Sequence, residues 1–397
     1  MTAFRKRDWT PLILTAALCA VWLLLHTLIG GSFLGPSFYN TYTRQALAWR
    51  EGLLHLPEDV PYLELAVYEG EYYVSFPPLP TVILWPLTFL FGMDTPDNLL
   101  VKLYACGACL MMYAALKRAG YRRVSAALFA FFFCMASSML PMTLNGAVWY
   151  HAQVLAFFLT TAAICLLTLD RLTLSLLCYA LSVACRPFSA LYAVPLFFTY
   201  FSLHHRAGTP FRETVKPLAP GVALGFCVAA GLGVYNFIRF GNPFEFGHNY
   251  LPEFSFQGGI QFSVIHVLGH MSTFLWGWPL ESGANGLVFR QFGYSMLLAC
   301  PTLLLMLIGA VNECNDRRFS REKAVILATC VLHAFLLLTH RTFGGYQLGA
   351  RYAVDLVPYS FFYLLLTPEK KKIRWIEAVF LAGTLLFTIV GVTQVHI

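Results

Sequence analysis

The sequence predicts an all-α integral membrane protein, and three observations predict it. Of 397 residues, 58% are hydrophobic and only 12% charged, where a soluble domain carries about 25% charge. Mean hydropathy is +0.63. Apolar blocks recur along the whole length, most of them long enough, or nearly so, to cross a hydrocarbon core of about 30 Å. No polar stretch is large enough for a separate soluble domain, so residues 1–397 read as one polytopic membrane domain with about 11–13 transmembrane helices.

Taken in order, spans are expected at 11–31, 99–116, 124–142, 152–169, 172–184, 188–203, 217–238, 292–311, 323–339, 353–367 and 375–393. The first follows Arg5-Lys6-Arg7, but its apolar run is long and no small-residue cleavage site follows. It reads as a retained span rather than a signal peptide. Segment 79–92 is apolar but short, and is expected to dip in and return or to lie at the interface.

The connectors alternate in basicity. Segments 5–7, 117–123, 171, 206–216, 317–323 and 370–374 hold 19 of the 27 Lys and Arg. By the positive-inside rule they are cytoplasmic, which places the N-terminus inside the cell. The net charge of +7 then orients the protein and meets anionic membrane lipid, with no call for a nucleic-acid partner. The opposite segments, 32–76, 145–153, 240–290 and 340–351, are longer and hold aromatics, Gly, Asn, His and nine of the 20 acids. Loops on a rigid scaffold are where chemistry concentrates, so an active site is expected on the outer face of a plasma or inner membrane. All 11 cysteines except Cys314 fall in apolar blocks, where a thiol packs as a small apolar group.

The first outer loop contains "NTYTRQALAWREGLLHL", whose apolar residues recur at helical spacing, as in an amphipathic helix on the membrane surface. Further along stand Glu51, Glu58, Asp59, Glu64, Glu69 and Glu71, six of the 20 acids. Interleaved with Tyr62, Tyr68, Tyr72 and Tyr73, they offer what sugar chemistry requires. A carboxylate can deprotonate an attacking hydroxyl, and aromatic rings can stack on a pyranose.

"YEGEYYVSFPPLPTVILWPL" then resembles the segment after the first outer loop in bacterial relatives of the protein mannosyltransferases and aminoarabinose transferases, members of the GT-C superfamily of membrane glycosyltransferases. "YNTYTRQALAWREGLLHL", "ACRPFSAL", "YNFIRFGNPFEFGHNY" and "FGGYQLGARYAVDLVP" are similar to stretches that recur there, in the same order. The resemblance implies a GT-C-like fold and a transferase that takes sugar from a polyprenyl-phosphate carrier and passes it to a glycan, lipid or protein acceptor. It also implies an acid of the first loop as base and basic residues on the carrier phosphate. Two features depart from the pattern. Many relatives carry an acid directly after the first span, where this chain reads "SFYNTY", and many have Lys before Pro-Pro, where Phe76 stands here.

The resemblance implies Glu64, in "YLELAVYEG", as the base, since similar loops carry an acid at this position, with Asp59 the second choice. Only eight Lys or Arg lie on or near the outer side. An Arg near bilayer depth needs an anionic partner, and its planar fork suits phosphate. Arg351, followed by Tyr352 and Asp355, is the first candidate for the carrier phosphate, with pairing to Asp355 as its structural alternative. Arg341 and Arg239 follow, and Arg186 is expected in a buried pair. Asn40, Tyr42, Tyr68, Tyr73, His151, Asn236 and Tyr346 are the expected substrate contacts. Gly258-Gly259 and Gly344-Gly345 permit bends near a ligand.

No cofactor is expected. The histidines lack ligand spacing with a nearby acid, which predicts no tightly bound metal, though the loop acids leave room for a loosely bound divalent cation. No phosphate-binding glycine loop points to a nucleotide. A transporter or flippase of lipid-linked sugar is the main competing class. It would show internal repeats with paired broken helices, and the two halves of this sequence show none. A non-catalytic relative is the third reading.

Overall fold

The computed structural model describes residues 8–205, 208, 210–255, 261–284, 286–367 and 372–395. Arg5-Lys6-Arg7, Arg206, Lys370 and the Gly258-Gly259 pair lie outside the described residues. The helices are α1 (Thr10–Ile29), α2 (Thr41–Arg50), α3 (Leu79–Phe91), α4 (Asp97–Arg118), α5 (Arg123–Met135), α6 (Met139–Met142), α7 (Val148–Thr168), α8 (Leu172–Val183) and α9 (Ala193–His204). They continue with α10 (Phe211–Val215), α11 (Ala219–Phe240), α12 (Pro252–Ser255), α13 (Ile265–Trp276), α14 (Met296–Ala299), α15 (Pro301–Asn315), α16 (Arg321–Leu338), α17 (Val357–Leu365) and α18 (Trp375–Val395). Two antiparallel hairpins, β1 (Leu65–Tyr68) with β2 (Glu71–Val74) and β3 (Leu280–Gly283) with β4 (Gly286–Phe289), complete the fold. It is an all-α membrane architecture.

Among the described residues, five segments are long and apolar enough to cross a membrane: Thr10–Ile29, Asp97–Arg118, Val148–Thr168, Phe211–Phe240 and Trp375–Val395. The central one is α7, whose apolar stretch is 83% buried, against 11% for the segment ending in α11. Interior packing falls on α7 and α17, with α4 and α5 beside them, while α1, α11 and α18 present apolar faces outward. The other apolar blocks are shorter or interrupted. The expected span 124–142 leaves the helix after Met135, because Ser138 N donates to Ala299 O at 2.9 Å and Ser138 Oγ accepts from Ala350 N at 3.0 Å. The blocks at 188–203 and 353–367 each open with a 3-10 turn, Pro187–Tyr192 and Arg351–Leu356.

The basic connectors gather at one end. There Tyr121 OH donates to Leu364 O at 2.8 Å, Ile373 N to Ser125 Oγ at 3.1 Å, and His204 pairs with Asp170 at 3.1 Å. The opposite end holds the 30–78 segment, the 145–148 turn, the stretch after α11 and residues 339–351. Helix α3 begins and ends at this second end. Its 13 residues reach only about 20 Å, short of a hydrocarbon core.

Local signals account for the boundaries. Pro11 opens α1, where its missing N–H had no partner. Ser320 caps α16, accepting from Lys323 N, with Glu322 in the first turn. Gly241 closes α11 in the left-handed conformation, φ 66°. The surface helix expected from Asn40 to Leu56 stops at Arg50, because Gly52 turns the chain at φ 79°. Its inward face holds Thr41, Thr43 and Gln45 beside Tyr42 and Ala46. Gln45 ties it to its neighbours, accepting from Thr81 Oγ1 at 2.5 Å and donating to Tyr235 OH at 2.9 Å.

Candidate functional site

The first loop is fastened to the helix bundle before it reaches the site. Asp97 Oδ1, at the start of α4, accepts from Ser37 N at 2.6 Å, and Asn98 Nδ2 donates to Ser32 O at 3.0 Å. Asn98 Oδ1 accepts from Gly146 N at 2.6 Å. A Cβ on Gly146 would stand 2.6 Å from the Asp97 carbonyl carbon, so only glycine permits this approach. The 30–40 and 145–148 segments are thereby locked side by side.

From this anchor the loop runs through α2 to the β1–β2 hairpin. Tyr68 pairs with Glu71 across a turn in which Glu69 (φ 52°) and Gly70 (φ 85°) both lie in the left-handed region, the signature of a type I′ hairpin. Glu64 immediately precedes β1. It is half-buried, and Trp149 Nε1 donates to its Oε2 at 2.9 Å. Burial raises the Glu64 pKa above its ordinary value, the Trp149 hydrogen bond opposes the rise, the Glu253 charge adds to it and the Arg351 charge opposes it. Trp149 is itself held at 5.1 Å from the Tyr39 ring. Asp59 lies exposed on the loop surface.

The arginines fall into two kinds. Arg186 Nη2 and Nε donate to Asp355 Oδ2 at 2.6 and 3.1 Å, and Gln153 Nε2 donates to Asp355 Oδ1 at 2.7 Å. Asp355 therefore belongs to Arg186, the buried pair expected for Arg186, and the structural alternative of an Arg351–Asp355 pair falls away. Gly344 O takes the Arg351 guanidinium, and the Arg186 fork and Gln153 take the Asp355 oxygens.

Arg351, Arg341 and Arg239 have no carboxylate partner among the described residues. Arg351 Nε and Nη2 donate to Gly344 O at 3.1 and 2.9 Å, and its N–H donates to Gln347 Oε1 at 2.7 Å. Gly344 sits at φ 109°, and a Cβ there would crowd Gln347 Nε2 at 2.8 Å. Arg341 Nη2 donates to His248 O at 3.0 Å, its guanidinium stacks 3.6 Å from the Phe254 ring centre, and its Nε has no hydrogen-bond partner among the described residues. Arg239 Nη1 donates to Val74 O and Nη2 to Asn236 Oδ1, both at 2.9 Å. Arg239 and Asn236 thus pin the end of β2 to α11, inside the protein.

The remaining expected contacts divide as well. Tyr68 and Tyr73 pack against Phe240 at the hairpin surface. Asn40 is buried and accepts from Arg44 Nε at 3.1 Å. Tyr42 and His151 face each other in the interior with ring centres 5.9 Å apart, and the Tyr42 hydroxyl has no hydrogen-bond partner among the described residues. Tyr346 donates to Val395 O at 2.7 Å and lines a small cleft with Arg351, Gln347 and Tyr150. Tyr352 lies between Arg186 and Arg351, whose guanidinium carbons are 5.4 and 5.0 Å from its ring centre.

Sequence reasoning missed two histidines. His248 and His340 face each other at 6.2 Å, beside Phe76 and Tyr352 respectively. Burial, helped by the Arg186 and Arg341 charges, lowers their pKa to about 4 and about 3, so both are neutral at ordinary pH. Trp149 and Glu253 were missed too, and only the Trp149-Tyr150 pair in an outer turn could have flagged either.

No family model and no curated protein matches the chain. Solved structures do. The apo oligosaccharyltransferase of Archaeoglobus fulgidus superimposes on 100% of this chain and 56% of its own length, with a TM-score of 0.53 at 13% identity. The fold is GT-C-like. ArnT from Cupriavidus metallidurans bound to undecaprenyl phosphate also matches, over 89% of this chain and 59% of its own, with a TM-score of 0.49 at 14% identity. The same archaeal enzyme tethered to an acceptor peptide matches at 0.53. The chain spans a little over half the length of these structures. Within the GT-C-like fold, Glu64, Trp149, Arg341 and Arg351 all lie at the end of the bundle that carries the long loops.

Proposed function

We propose that this chain transfers a sugar from a polyprenyl-phosphate-linked donor to a glycan, lipid or protein acceptor on the outer face of the membrane, with inversion. The observation that carries the reading is one carboxylate, Glu64, held half-buried by Trp149 at the end of the bundle where Arg341 and Arg351 are held by carbonyls rather than acids. Glu64 takes the proton of the acceptor nucleophile as that atom bonds to the anomeric carbon. The bond from that carbon to the phosphate oxygen breaks on the opposite face, and polyprenyl phosphate leaves with the electron pair. In this reading Arg351 and Arg341 hold the phosphate. Their forks suit its oxygens, and charge developing on a leaving group is stabilised most by groups already in place. The GT-C-like fold and the ordered motif resemblance support the same class.

The test uses purified protein in detergent with a panel of synthetic polyprenyl-phosphate sugars and candidate acceptors. Wild type transfers sugar, and Glu64→Gln loses about 10²–10⁴-fold, the usual worth of a general base. Equal transfer by Glu64→Gln removes Glu64 from the role. Flipping of lipid-linked sugar in liposomes without transfer replaces the reading with a transporter.

A further inference from the structure

The segment 240–290 reads from sequence as an outer loop, yet part of it presents a face unsuited to water. Helix α13 packs inward through His270, whose Nδ1 lies 3.2 Å from Leu338 O, and through Phe274, 5.5 Å from the Phe343 ring. Its opposite side carries Ile265 (78% exposed), Leu268 (76%) and Trp276 (80%), with Trp278 beside them. The neighbouring hairpin exposes Leu287 and Val288, and Phe292 continues the surface. The charges flanking it, Arg290 and Glu281, pair at 3.4 Å.

This surface is continuous with a membrane-crossing helix. Phe289, at the end of β4, packs 4.7 Å from Phe387 of α18, and a Cβ on Gly391 would stand 2.9 Å from the Phe289 ring. The outward side of α18, with Val379, Leu386 and Val390, is apolar and exposed. Helix α13 has 12 residues, about 18 Å, too short to span. Tryptophans at the edge of an apolar face mark the water–lipid boundary.

We propose that α13 and the β3–β4 hairpin are a membrane-interface element, seated in the lipid headgroup and upper acyl region on the side of the candidate site. The element is wired to that site. Phe262 pairs with His340, Ser263 N donates to Thr339 O at 2.7 Å, and Arg341 N donates to Gln261 O at 2.8 Å. Lipid seating would therefore set the height of Arg341 relative to the bilayer. This inference stands whether or not the chain is a transferase.

The full chain is reconstituted into phosphatidylcholine nanodiscs, with bromine at the 6,7 or the 11,12 acyl positions. The signal of Trp276 and Trp278 is wild type minus the Trp276→Phe/Trp278→Phe double variant. Expected is roughly twofold quenching by 6,7-bromolipid, weaker quenching by 11,12-bromolipid and little by aqueous iodide, as for interfacial tryptophan. Leu268→Trp in the double-variant background repeats the reading from the middle of α13. Quenching by iodide but not by bromolipid overturns the proposal in favour of a solvated loop. Protection from both quenchers overturns it in favour of a protein partner.

Discussion

The two ends of the bundle handle charge differently. At the basic end, cations meet acids: Lys323 Nζ lies 2.7 and 2.8 Å from the Glu313 oxygens, Arg374 pairs with Glu377 at 2.8 Å, and Arg123 with Asp8 at 3.6 Å. At the other end, Arg239, Arg341 and Arg351 are held by the carbonyls of Val74, His248 and Gly344. A carbonyl fixes a guanidinium in place without cancelling its charge. The named cations of the basic end are thus neutralised by acids, whereas these three arginines of the loop end are not, among the described residues, in contrast to Arg186, which Asp355 neutralises there.

Breaking a pair at the basic end should damage the fold and spare the chemistry. Lys323→Met leaves the Glu313 carboxylate in a largely buried position, and removing one partner of a buried pair costs about 3–5 kcal/mol. Thermal unfolding in detergent should shift down strongly while transfer per folded molecule stays unchanged.

Removing one of the three arginines should do the reverse. Arg351→Met removes charge-assisted hydrogen bonds worth about 1.5–3 kcal/mol, so the affinity for polyprenyl phosphate should fall about 10- to 100-fold. Arg351→Lys should recover only part of it, because an ammonium lacks the planar fork. Calorimetric titration with polyprenyl phosphate measures both. Equal affinity in all three proteins would mean that Arg351 is structural.

The smallest effect should come from an exposed pair at the basic end. Asp170→Asn breaks the contact with His204, and exposed pairs contribute about 0–1 kcal/mol. Its unfolding temperature should stay close to wild type, which separates ordinary surface charge from the buried Glu313–Lys323 pair.

The sequence made the architecture legible because membrane composition and basic connectors are local signals. The first loop's importance was legible for the same reason, since its acids and tyrosines cluster within about 20 positions. What stayed hidden depends on contacts between distant parts of the chain. Trp149 and Glu64 are 85 positions apart, and Arg186 and Asp355 are 169 apart. Nearness in sequence offered Arg351 as an alternative partner of Asp355, and left the partner of Arg186 unnamed. The β1–β2 hairpin was a missed local signal: "YEGEYY" places Gly at a left-handed turn position between alternating residues.

Glu64 links this geometry to function through pH. Burial raises its pKa, so its carboxylate form is lost as pH falls through that raised value. The same shift means that ionised Glu64 costs folding stability above it. Glu64→Gln should then be at least as stable as wild type at neutral pH while losing activity. Trp149 hydrogen-bonds the charged form and holds the pKa down. The most direct measurement is the pH–rate profile of sugar transfer for wild type and Trp149→Phe. The expected result is an acid limb above the ordinary carboxylate range in wild type and at still higher pH in Trp149→Phe. An acid limb that does not move on removing the indole would contradict Glu64 as the base.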